Sequence, residues 1–97
     1  MNQQIDPRNL VWDGWNIEHI ARHNVTREEV EEVCLGRCIV REGYRQRIML
    51  VGPTELGRML AVVLEPRANG RFYPMTAYTA SRRMRRTYAE ESGGSAP

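Results

Sequence analysis

The segment MTAYTASRRMRRTY, residues 75–88, gathers four arginines and two tyrosines around Met84. Arginine presents a planar fork of donors that suits phosphate and carboxylate, but it does not shuttle protons at neutral pH. Such a run can grip a nucleic acid, or it can keep the outer face of a helix in water and meet an acidic protein. Proton transfer must come from elsewhere. His19 and His23, four apart, are the two histidines of the chain, and histidine is the side chain that ordinarily titrates near neutrality. With Cys34 and Cys38 they offer a two-histidine, two-cysteine zinc set. Structural zinc cysteines sit on tight loops, however, whereas Cys34 falls in a helical stripe and Cys38 opens a strand. Buried small apolar side chains are the better reading. No metal and no cofactor is expected.

The composition frames these candidates. The chain has 97 residues, enough for one small domain, and 41% of them are hydrophobic. No apolar run approaches the roughly 18 residues of a membrane span, and no secretory leader is visible, so a soluble cytoplasmic protein is expected. All fourteen basic residues are arginine. Their distribution is uneven: residues 1–36 hold three arginines against seven acids, a net of −4, and residues 37–97 hold eleven against five, a net of +6. A basic second half implies a polyanion or an acidic partner.

The elements that must position the candidates follow from period and punctuation. Leu10–Trp12 reads as a short strand, and Asp13 as the N-cap of a helix with Ile17, Ile20 and Ala21 on its inner face. Asn24 can take the left-handed conformation that ends a helix. TREE at 26–29 is a capping box, opening a second helix whose buried stripe is Val30, Val33 and Cys34. RCIVRE and RQRIMLVG read as strands about a turn at Gly43, and GRMLAVVLEP as a central strand buried on both faces. RFYPMTAY is a last strand, in which Pro74 implies an edge or a bulge. Ser81 caps a final helix ending near Glu91. The expectation is one α+β domain over 1–91, with two N-terminal helices and a C-terminal helix on an antiparallel sheet of four or five strands. A disordered tail is expected over 92–97.

VWD at 11–13, NIEHIARHNV at 16–25, GRMLAVV at 57–63 and MTAYTASRRMRRTY at 75–88 together resemble the BrnT family of type II toxins, in order from about residue 10 to residue 90. The resemblance implies a RelE-like ribonuclease fold and a metal-independent endoribonuclease that inhibits translation. It also implies an antitoxin with a ribbon-helix-helix domain, through which alone the pair would touch operator DNA. Three positions depart from the family: Asn24 stands where it has glycine, Tyr78 where its last strand commonly carries arginine, and Pro74 where it normally has a β-branched residue.

RNA cleavage without metal needs a base for the ribose 2′-hydroxyl, cations for the phosphorane and an acid for the leaving oxygen. On this reading His23, Arg58, Tyr78 and Arg82 are the catalytic candidates. Arg47 and Arg83 are additional RNA contacts, and Arg85 and Arg86 meet the antitoxin. A plainer reading has His23 packing its helix end on the sheet, and His19 as a surface residue. Tyr78 also leaves open a toxin fold that has lost cleavage and serves as a binding subunit. A stand-alone nucleic-acid-binding domain is a third class, against which the modest net charge argues.

Overall fold

In the computed structural model, which describes residues 5–92, Asp13 starts the first helix. Its carboxylate accepts the Asn16 N–H at 2.9 Å, and Asn16 Oδ1 accepts the Asp13 N–H at 3.0 Å, opening α1, Gly14–Ala21. Two otherwise orphaned amides are satisfied reciprocally. Asn24, at φ 60°, turns the chain in the left-handed region. Thr26 and Glu29 then form the second box, at 3.1 and 3.0 Å, and open α2, Arg27–Leu35.

The inner face of α1 differs from the hydrophobic pattern. Ile17 is 41% exposed and Ala21 is exposed, while Asn16 is buried beside Ile20. The cap explains it. Asn16 must turn inward to reach the Asp13 amide and to donate from Nδ2 to the Val11 carbonyl at 2.9 Å. Ile20, one turn on, shares that face, and Ile17 rotates outward.

Four strands follow: β1, Ile39–Glu42; β2, Ile48–Pro53; β3, Met59–Arg67; and β4, Arg71–Thr79. They form one antiparallel sheet in sequence order, and α3, Arg82–Glu91, completes the described fold. Leu10–Trp12 adds no fifth strand. It makes a single parallel bridge, Leu10 to Phe72, because the chain leaves the sheet edge at Asp13 to enter α1.

Strand alternation divides the core. Leu60, Val62 and Leu64 of β3, with Leu50 and Ala77, pack against Ile20 of α1 and Val30, Val33 and Cys34 of α2. On the opposite face Val51, Ala61 and Ala80, with Met49 and Met59, receive Met84 and Tyr88 of α3. The Tyr88 hydroxyl donates to the Arg37 carbonyl at 2.8 Å, and an Arg41–Glu91 ion pair ties the end of α3 to β1. β3 is therefore central and covered on both sides, as its unbroken apolar run implies. Pro74 lies on the edge strand and at a bulge: Val63 pairs with Thr76 and Leu64 with Pro74, leaving Met75 as the extra residue.

Ser92 closes α3, donating its N–H to the Tyr88 carbonyl at 2.9 Å, and residues 93–97 of the expected tail lie outside the described residues. Among the described residues no helix is long and apolar enough to cross a membrane.

Candidate functional site: an aromatic row at the β4 edge

The turn after α1 carries His23 to the open edge of the sheet. Its ring meets that of Tyr78 on β4 edge-on, with centroids 6.2 Å apart and planes at 61°. His19 lies one turn earlier, 5.6 Å from His23 at 68°. Trp15 stacks on His19 at 4.8 Å, with planes only 8° apart. Positions 15, 19 and 23 are spaced by four, so their side chains share one stripe of α1 and its exit. The result is a row of four rings ending on a strand 55 residues downstream of His23. Trp15 is 56% exposed, His23 is exposed, and His19 and Tyr78 are half-buried.

Arg58, immediately before β3, holds this row together from beneath. Its Nη1 donates to the Asn24 carbonyl at 2.6 Å and to both carboxylate oxygens of Glu29 at 3.2 Å. Its Nη2 donates to the His23 carbonyl at 3.4 Å and to Thr79 Oγ1 at 3.1 Å. One guanidinium thus ties the turn bearing His23 to the residue that follows Tyr78. With its charge matched by Glu29, Arg58 is a positioning residue in this geometry rather than an open phosphate ligand.

Two arginines flank this pair in the chain: Arg22, beside His23, and Arg82, at the start of α3 and four residues beyond Tyr78. Both are exposed and outside every ion pair among the described residues. Ser81 sets the start of α3 by accepting the Met84 N–H at 3.2 Å.

Other candidates lie elsewhere. Arg47 precedes β2 and pairs with Glu65 at 3.8 Å. Glu65 is seven residues along from Arg58, or about 23 Å at strand rise. Arg83 lines a groove of about 260 Å³ over β1 and β2, with Ile39, Met49 and Met84, at the side of the sheet away from β4. Arg85 folds back to donate from Nη1 to the Ala80 carbonyl at 2.9 Å, while Arg86 is exposed.

Cys34 and Cys38 are buried thiols. Burial pushes Cys34 up to about 12, with smaller contributions from Cys38 and Glu31, and burial also raises Cys38. Among the described residues no group of three or more histidine, cysteine, aspartate and glutamate side chains can hold a metal ion.

Trp15 and Arg22 are the members that sequence reasoning missed. The spacing W-x3-H-x3-H was the available signal for Trp15. Comparison with protein-family models, curated proteins and solved structures finds no match to the chain. The edge itself offers an imidazole meeting a phenol edge-on, exposed arginines nearby in the chain, and a row of rings that begins at the exposed Trp15.

Proposed function

We propose that this chain is the toxin of a type II toxin–antitoxin pair, with a RelE-like, BrnT-like fold: a metal-independent endoribonuclease of the cytoplasm that inhibits translation. The observation that carries the reading is the meeting of His23 and Tyr78 at an open sheet edge, with exposed arginines next to His23 in the chain and four residues beyond Tyr78. His23 takes the ribose 2′-hydroxyl proton as general base, and Tyr78 orients the strand or protonates the leaving oxygen. Arg82 and Arg22 stabilise the charged phosphate, and Arg58 holds the geometry. The ordered likeness of four segments to the BrnT family supports the same assignment.

The partner is an acidic segment of a ribbon-helix-helix antitoxin, which also provides the only contact with operator DNA. The exposed outer side of α3, Arg86 foremost, is the surface offered to it. Induced expression tests the reading: growth arrest with RNA decay is expected, and co-expression of a neighbouring ribbon-helix-helix gene should relieve it. Normal growth with intact RNA would count against it. A second reading, a toxin fold kept only for binding, draws on the Arg58–Glu29 pair and on tyrosine at 78, which together leave fewer open cations than a phosphorane site commonly uses.

A further inference from the structure

We propose that Trp15, His19, His23 and Tyr78 form an aromatic track, which stacks an unpaired base of single-stranded RNA on the open face of Trp15 and leads the strand to the His23–Tyr78 end. The inference rests on the ribonuclease reading and names the form of RNA and where it lies.

Exposure is the first observation. Trp15 belongs to the largest apolar residue type, yet more than half of it is in water, whereas Trp12 is half-buried under the guanidinium of Arg27. Order is the second. Stacking on His19 at 4.8 Å and 8° fixes the Trp15 ring, so little side-chain freedom is left to lose on binding. Continuity is the third: the row bends through the two edge-on contacts of His23 and finishes on β4. Every base has a π-face, so such a platform accepts any sequence.

Charge sets the direction of the strand. Asp13 lies two residues before Trp15 in the chain, while the exposed Arg22 adjoins His23 and Arg82 follows Tyr78 by four residues. The face of Trp15 that His19 leaves open therefore holds a base, and phosphates are gripped at the far end. A duplex, whose bases are already stacked on one another, gains nothing from the rings. An acidic protein is the competing occupant. The exposed indole at one end, and the run of rings into the His23–Tyr78 contact at the other, favour nucleic acid.

The test uses a 2′-O-methyl octaadenylate, which 2′-hydroxyl attack cannot cleave, and the full chain carrying Trp12→Phe so that Trp15 is the sole tryptophan. Binding should quench Trp15 fluorescence. Trp15→Ala should weaken binding, followed by anisotropy of an end-labelled octamer, by about tenfold or more, and Trp15→Phe should restore most of it. A 2′-O-methyl duplex should bind at least tenfold more weakly. With two arginines on phosphates, log affinity should fall against log salt with a slope of about −1.4. Equal octamer binding by wild type and Trp15→Ala would overturn the track and leave the ribonuclease reading intact, as would cleavage of unmodified RNA without octamer binding. Neither binding nor cleavage would overturn both. Loss of antitoxin co-purification in Trp15→Ala, with octamer binding unchanged, would assign the row to protein docking and overturn the proposal.

Discussion

Arg58 Nη1 lies 3.2 Å from both carboxylate oxygens of Glu29, joining the start of β3 to the first turn of α2. The same guanidinium bonds the carbonyls of His23 and Asn24 and the hydroxyl of Thr79. Arg58→Met would remove the side-chain donor to two carbonyls and leave the half-buried Glu29 carboxylate without its cation, held among the described residues only by Thr26. A loss of about 2 kcal/mol in urea unfolding is expected, since hydrogen bonds to charged groups are worth roughly 1.5–3 kcal/mol. Glu29→Gln should cost less, because the carbonyl and hydroxyl bonds of Arg58 persist. Unchanged stability in Arg58→Met would show that the clasp does not hold the turn.

Gly52 is closed to any side chain. A Cβ there would lie 2.8 Å from Cys38 Cβ and 3.0 Å from the Arg37 carbonyl oxygen, where β2 passes the entry to β1. Gly52→Ala must therefore push the strands apart, and a destabilisation of about 1–3 kcal/mol is expected. An unfolding midpoint equal to wild type would contradict this packing.

The Cys34 thiol titrates from 9.0 when unfolded to about 12 when folded. Between those values the folded chain holds a proton that the unfolded chain has released, so stability is complete below about pH 9 and falls as pH rises toward 12. Burial raises Cys38, Tyr73 and Tyr88 as well, which gives the same sign. Cys34→Val should flatten the alkaline decline in denaturation curves taken from pH 8 to 11. In the native protein Cys34 should resist alkylation at pH 8 until denaturant is added. Rapid labelling of the folded chain would contradict its burial.

Much of the fold was legible because its signals are local. Asp13 and the Thr26–Glu29 box mark helix starts within four residues. The apolar run at 59–64 needs burial on both faces, and the missing N–H of Pro74 restricts it to an edge or bulge. The inner face of α1 was not legible, because a buried asparagine serving the cap outranked an isoleucine. The site was legible only in its parts. His23 and Tyr78 stand out by residue type, but their contact depends on how α1 lies on β4. Arg58 reads as an open cation until Glu29, 29 residues earlier, is folded beside it. Arg47 and Arg83 share the arginine chemistry, yet sheet geometry carries them away from the β4 edge.

The most direct measurement of the central claim is cleavage of an unstructured RNA by the purified chain in excess chelator, comparing wild type, His23→Ala and Tyr78→Arg. Loss of one positioned acid–base group costs about a hundredfold or more in rate. Wild type should therefore cleave without metal, and His23→Ala should be slower by about that factor while keeping its helix content and unfolding midpoint. Tyr78→Arg should raise the rate where Tyr78 only orients the strand, since arginine adds a cation, and lower it where Tyr78 protonates the leaving oxygen. Wild-type cleavage that depends on metal, or full activity in His23→Ala, would contradict the account; an inactive wild type made active by Tyr78→Arg would identify a toxin fold kept for binding.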